Sequence, residues 1–161
     1  MKPLARAVYL SFGWIGTAPL FAPLHGWVYR ALGGRLVGKL LGVEIVLVTT
    51  RGRKSGRPRS APLMGVRDRG RLLVVASNAG KDRPPDWYLN LRADPEVTVQ
   101  IGPHVAPMRA RVASGPELGP LWETALRAYP GYAVYREVAR RRIPLVVLEP
   151  SATTREVHPS H

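Results

Sequence analysis

Two tight hairpins constrain this chain more than any other feature. The strand-type runs "SAPLMGVRD" (60–68) and "RLLVVASN" (71–78) meet across a turn formed by Asp68, Arg69 and Gly70. The runs "PEVTVQI" (95–101) and "HVAPMRARVA" (104–113) meet across Gly102 and Pro103. Connections this short force antiparallel neighbours, because a parallel pair needs a crossover of a dozen or more residues. "EIVLVTT" (44–50) and "PLVVLEP" (144–150) complete a set of six strand-like segments. Helical patterns over 84–93, 115–129 and 131–141 interrupt the strands at two places only. Strict βαβα alternation, and with it a parallel doubly wound sheet, is excluded. The expectation is an α+β domain, a small antiparallel barrel with inserted helices, spanning 44–150.

A chain of 161 residues is long enough to bury one core unaided, and it has no cysteine. Disulfides, thiolate metal sites and thiol catalysis are thereby excluded, and a cytoplasmic location is the simplest expectation. The formal charge of +13 points to an anionic partner: nucleic acid, lipid headgroups, or a phosphorylated or carboxylated small molecule. Residues 1–43 read as a helical arm. Ala7 to Tyr29 carries no charge, but Gly13, Gly16, Pro19, Pro23 and Gly26 interrupt it, so it does not describe a membrane-spanning helix. Lys2 and Arg6 precede this region without a small-x-small cleavage site, so retention is expected over secretion. "WVYRALGGRLVGKLLG" (27–42) then fits a basic amphipathic helix on anionic lipid, or equally a helix packed outside the barrel. The polar segment 151–161 reads as a flexible tail.

Three stretches carry candidate chemistry. "TTRGRKSGRPRSAPL" (49–63) places Arg51, Arg53, Lys54, Arg57 and Arg59 on a turn whose Gly52 and Gly56 allow close backbone approach. It has the donors for phosphate or carboxylate, although a solvated basic hairpin has the same composition. It lacks the spacing of a phosphate-binding P-loop, and no G-x-G-x-x-G follows a strand. "YPGYAVYR" sets Tyr129, Tyr132 and Tyr135 three apart, a stripe suited to a pocket wall or to core packing. "VVASNAG" ends a strand in Ser77 and Asn78, where a hydroxyl and backbone amides can reach a ligand. His25, His104, His158 and His161 are scattered without metal-binding spacing, so no metal is expected.

Taken in order, "TTRGRKSGRPRSAPL", "LLVVASNAGKDRPPDWYLNLRADPEVTVQI" and "YPGYAVYREVARRRIPLVVLEP" resemble the deazaflavin-dependent nitroreductase family over about residues 44–150. The resemblance implies a split β-barrel that binds coenzyme F420, a deazaflavin with a phosphate and an oligoglutamate tail. It implies that Arg53, Lys54 and Arg59 hold the anionic groups, with Ser55 completing the cradle. Ser60, Ala61, Pro62, Leu63 and Met64, with Val75, Ala76, Ser77 and Asn78, match the walls around the ring. Trp87, Tyr88 and Asn90 match the helix beside it. Tyr132 would stand against the coenzyme, Tyr135 and Ser77 near the hydride acceptor, and Tyr129 would shape the pocket. One of these hydroxyls is expected to polarise or protonate a quinone or nitro-type acceptor as the hydride arrives.

The apolar, basic arm would suit an enzyme meeting a lipid-soluble quinone at the inner face of the membrane. The competing readings are a barrel that binds flavin mononucleotide or haem, and a non-catalytic F420 carrier. A basic nucleic-acid-binding barrel fits less well, because Trp14, Trp27, Trp87 and Trp122 do not fall on strands, and no nucleic acid is expected. The oligomeric state is not legible.

Overall fold

The computed structural model describes residues 39–40 and 43–151. In chain order it has strands β1 (Lys39–Leu40), β2 (Val43–Arg51), β3 (Pro58–Asp68) and β4 (Arg71–Val75), then a 3-10 turn (Asn78–Gly80) and helix α1 (Asp86–Ala93). Strands β5 (Glu96–Ile101) and β6 (His104–Val112), a 3-10 turn (Gly115–Glu117), helices α2 (Leu118–Ala128) and α3 (Gly131–Val138), and strand β7 (Leu145–Pro150) follow.

Every strand pairing is antiparallel. β2 runs against β3 from Glu44↔Gly65 to Arg51↔Pro58, and the sheet continues through β4, β7, β6 and β5. β5 then returns to β2 in the register Val48↔Val99, closing a six-strand barrel. The two predicted hairpins are β3–β4 and β5–β6.

The two-residue period of a strand divides the core. Val46, Val48, Leu72, Val74, Val97, Val99, Ala110, Val146 and Leu148 form one cluster inside the barrel, joined by Trp87, Tyr88 and Leu91 of α1. Their alternates Leu73, Val75, Leu145 and Val147 face outward, where α2 and α3 cover them with Leu121, Trp122, Ala125 and the three tyrosines. β4 and β7 are buried on both faces, which is why their sequences read as unbroken apolar runs.

Several boundaries differ from the sequence expectation. The third strand stops at Val75 rather than 78, because Asn78 (φ 47°), Ala79 (φ 54°) and Gly80 (φ 79°) adopt left-handed backbone that no strand can contain. The third helix stops at Val138 rather than 141, with Ala139 extended. The segment 115–129 opens as the 3-10 turn and becomes α2 only at Leu118. Lys39 and Leu40, assigned above to an amphipathic helix, instead form β1 against Glu44 and Val43. The remainder of that helix, the apolar arm before it and the tail beyond Ser151 lie outside the described residues. Among the described residues no helix is long and apolar enough to cross a membrane.

Candidate active site

A cleft of about 1100 Å³ opens where the β2–β3 loop, the end of β4, the start of α1 and the α2–α3 junction converge. Its lining is cationic: Arg53, Lys54 and Arg59 come from the β2–β3 loop and Lys81 and Arg83 from the segment before α1, and Arg53 and Arg83 meet on Asp86. Asp86 is the one acid among the lining residues.

The basic loop is a closed turn. The Gly52 N–H donates to Arg57 O (2.9 Å), the Gly56 N–H donates to Gly52 O (2.7 Å), and Gly56 has φ +67°. A Cβ at position 52 would come within 2.8 Å of Ser55 Oγ and 3.1 Å of Arg57 O, so a larger residue there would crowd the turn. Ser55 Oγ accepts the Arg57 N–H at 3.4 Å. Asn90, buried on α1, holds the loop from beneath: its Oδ1 accepts both the Arg53 backbone N–H (3.2 Å) and the Arg53 guanidinium (3.0 Å). Its Nδ2 donates to Thr50 Oγ1 (3.2 Å), and the Thr50 hydroxyl donates to Arg59 O (3.3 Å). Asp86 takes a second Arg53 nitrogen at 3.1 Å and Arg83 at 3.0 Å. Buried polar groups satisfied in this way give the loop one conformation.

Tyr129, Tyr132 and Tyr135 face the cleft from the α2–α3 junction, all buried. The ring of Tyr132 meets Tyr129 edge-on at 5.0 Å between centroids, and the hydroxyls of Tyr129 and Tyr135 lie 3.3 Å apart. Tyr129 folds back over Gly131, where a Cβ would come within 2.5 Å of its ring. Pro130 and Gly131 therefore start α3 just where the tyrosine stripe requires it. Arg136, on the outer side of α3, stacks over Trp122 of α2 at 4.6 Å and ties the two helices together. Burial, reinforced by the neighbouring Tyr129, pushes the Tyr132 phenol well above its ordinary pKa.

Between these walls lie Ser60, Ala61, Pro62, Leu63 and Met64 of β3, with Val75, Ser77 and Asn78 from the end of β4. Trp87 and Asn90 close the α1 side. Ser60 is tied to Thr49 by a hydroxyl pair at 2.8 Å. One residue matched above to the ring walls, Ala76, and one matched to the helix beside the ring, Tyr88, do not line the cleft. Ala76 is fully buried in the barrel cluster, because strand alternation turns it inward while Val75 turns out. Tyr88 also packs into that cluster, one helical step from Trp87, and its hydroxyl accepts from Arg92 at 3.3 Å. The Asn78 side chain borders the cleft, but its amide is spent on Arg83 O (2.8 Å), closing the turn.

Sequence reading missed Lys81, Arg83 and Asp86; the cations of "GKDRPPDW", held outside the helix by Pro84 and Pro85, were the available signal. Among the described residues no cluster of His, Asp and Glu is suited to a metal.

Comparison with known proteins gives this geometry a family. The family model for F420H(2)-dependent quinone reductase matches residues 22–150. An F420H(2)-dependent quinone reductase of Mycobacterium tuberculosis is 34% identical over 129 residues, covering 78% of this chain and 87% of that protein. A solved F420-H2 dependent reductase is 44% identical, with a TM-score of 0.61 over 65% of this chain and 93% of its own. A second solved chain, described as a domain-swapped dimer, is 40% identical, with a TM-score of 0.62 over 76% of this chain and 97% of its own. The haem storage protein HutZ of Vibrio cholerae, at 13% identity and a TM-score of 0.52, shares the fold alone. The cofactor family that the three motifs resemble is thus also the one found by comparison of the whole chain: this protein belongs to the F420H(2)-dependent quinone reductase family.

Proposed function

We infer that the protein is an oxidoreductase that reduces quinones with F420H2, its cleft taking coenzyme and acceptor together. The observation that carries this reading is the opposition, across one cleft, of a preorganised cationic loop and a face of buried phenols.

The donor set fits the coenzyme. Arg53, Lys54 and Arg59, with Lys81 and Arg83, supply charge for a phosphate and several carboxylates, while Leu63, Met64, Val75 and Trp87 offer apolar walls to a flat ring. When bound, F420H2 supplies a hydride, a two-electron donor that needs no metal. The chain's own residues have the remaining work. Asn90 and Asp86 orient Arg53 before any ligand arrives, so less ordering is needed on binding. Tyr132 adds to the same lining a phenol whose proton burial holds still more firmly than usual. Tyr135, whose hydroxyl meets that of Tyr129, and Ser77 at the end of β4 stand as donors to an acceptor oxygen that gains negative charge during reduction. A quinone oxygen fits that role, and so does a nitro oxygen.

The acceptor we favour is a lipid-soluble quinone met at the membrane surface. The uncharged run from Ala7 to Tyr29, followed by Arg30, Arg35 and Lys39, supports peripheral attachment to anionic lipid. Sedimentation with anionic against neutral vesicles tests the attachment.

The decisive experiment titrates the full chain with oxidised F420 and with FMN by fluorescence, then follows oxidation of F420H2 on adding a soluble quinone. Binding of F420 in preference to FMN with quinone-dependent turnover is expected. Tight FMN binding with no response to F420 would overturn the cofactor assignment, and F420 binding without turnover would make the protein a carrier.

A further inference from the structure

The turn after β4 is the least regular backbone beside the cleft. Asn78 (φ 47°), Ala79 (φ 54°) and Gly80 (φ 79°) follow one another in the left-handed region, which L side chains disfavour, and two of the three are not glycine. Such a turn persists only where its surroundings over-determine it. Inside the turn, the Gly80 N–H donates to Ser77 O (3.0 Å) and the Lys81 N–H to Asn78 O (3.1 Å).

The reversal also leaves the carbonyls of residues 76, 77 and 81 converging on one side chain from sixty residues further along the chain. Arg141 donates through Nη2 to Ala76 O (3.0 Å) and Ser77 O (3.0 Å), and through Nε to Lys81 O (3.0 Å). Next to it, the Arg140 N–H donates to Asp82 Oδ1 at 3.0 Å. Arg141 is half-buried, and burial lowers its pKa against the opposing pull of Asp82 and Tyr88, but a guanidinium stays charged at any working pH.

Arg141 lies just beyond α3, the helix that carries Tyr132 and Tyr135. The turn packs on the same helix: a Cβ at Gly80 would collide with Val138 Cγ2 and lie 3.5 Å from the Tyr135 backbone. Ser77 and the tyrosines belong to distant parts of the chain, and the Arg141 fork and the Gly80 contact join them into one unit.

We propose that Arg141 is a positioning residue for hydride transfer, its guanidinium locking the left-handed turn that carries Ser77 against the tyrosine helix. The catalytic part of this inference rests on the functional reading above; the mechanical part does not. The fork geometry matters as much as the charge. A lysine gathers its donors on one nitrogen and cannot reproduce a planar fork that sets Nη2 on two carbonyls and Nε on a third. Lys81 also belongs to the cationic lining, so loosening the turn should weaken coenzyme capture somewhat, but the loop cations Arg53, Lys54 and Arg59 stay in place and the larger loss should be in the chemistry.

The test uses Arg141→Lys and Arg141→Ala in the full chain. Without coenzyme, hydrogen exchange at the Gly80 and Lys81 amides should accelerate about tenfold or more in both variants, while the Val74 and Val146 amides in the barrel stay as protected as in the parent. F420 affinity should fall by no more than about tenfold, while kcat with a soluble quinone falls on the order of 100-fold, the usual penalty for loss of alignment. Added ethylguanidinium should restore part of the kcat of Arg141→Ala and none of that of Arg141→Lys. Unchanged exchange at Gly80 and Lys81 overturns the clamp, whatever the kinetics. Faster exchange with parental kcat overturns its catalytic role, as does a loss of kcat that only tracks loss of folded protein. A parent that neither binds F420 nor oxidises F420H2 overturns the functional reading and this catalytic role with it, while exchange still decides the clamp.

Discussion

The side-chain oxygen of Asn90 accepts two hydrogen bonds from one residue, Arg53: the backbone N–H at 3.2 Å and the guanidinium at 3.0 Å. A buried amide on α1 thus fixes both the path of the basic loop and the aim of its first cation. Asn90 is spent within the chain, on Arg53 and Thr50, and so holds the loop proposed to take the coenzyme.

Replacing Asn90 by Ala should therefore act on affinity and stability together. Thr50 and the Arg53 N–H lose their buried partner, which costs about 1–3 kcal/mol of unfolding free energy. F420 binding should weaken about tenfold, because Arg53 must then be ordered by the ligand itself. Denaturant unfolding and fluorescence titration measure the two effects. Parental affinity in a destabilised variant would show that Arg53 needs no support.

Neutralising Arg53, Lys54 and Arg59 together, each to Gln, should leave the barrel folded, since all three are exposed. Charge-assisted hydrogen bonds contribute about 1.5–3 kcal/mol each, so the dissociation constant for F420 should rise at least about 100-fold. The salt dependence of binding should flatten at the same time. A triple variant that holds F420 as firmly as the parent refutes the assignment of this loop.

Gly131→Ala tests the tyrosine face without removing a hydroxyl. The added methyl meets the Tyr129 ring at 2.5 Å, so the ring must swing, and overpacking of this kind costs about 1–3 kcal/mol. Turnover should fall about 10- to 100-fold as the Tyr129–Tyr135 hydroxyl pair is pulled apart. Steady-state kinetics beside thermal unfolding decide it, and a variant as active as the parent would mean that Tyr129 has no part in shaping the site.

Tyr132→Phe and Tyr135→Phe address the phenols directly. General acid assistance contributes about 100-fold or more, and a loss of that order is expected in at least one variant. Parental turnover in both would leave no phenol as donor.

The raised pKa of Tyr132 also has a stability signature. The buried phenol stays protonated when an unfolded one, with its pKa near 10, would ionise. Its contribution is fully present below pH of about 10 and is lost as pH rises through the raised folded value. The fall in melting temperature at alkaline pH should be shallower in Tyr132→Phe, and identical alkaline limbs in the two proteins would contradict the burial of that hydroxyl.

The amino-acid sequence by itself determined the antiparallel character of the sheet, because the turns at 68–70 and 102–103 are too short for any other pairing. It also determined the tyrosine stripe and the charge of the β2–β3 loop, both of which are local: spacing along the chain, turn chemistry and composition. Only the tertiary structure decided what those pieces meet. The pairing of Val48 with Val99 that closes the barrel joins strands whose alternation shows which face is buried and not which partner covers it. Ala76 turned into the barrel and left the cleft wall to Val75 and Ser77, since a two-residue period assigns sides only once the end of the strand is known, while Tyr88 was carried into the same cluster by the packing of α1. Lys81 and Arg83 joined the loop cations in lining one cleft, and Arg141 found three carbonyls about sixty residues away, because a left-handed turn at 78–80 re-aimed the backbone. Whether "SNAG" continues a strand or makes such a turn depends on what holds it from outside: Arg141 and Val138, which no local pattern connects to it.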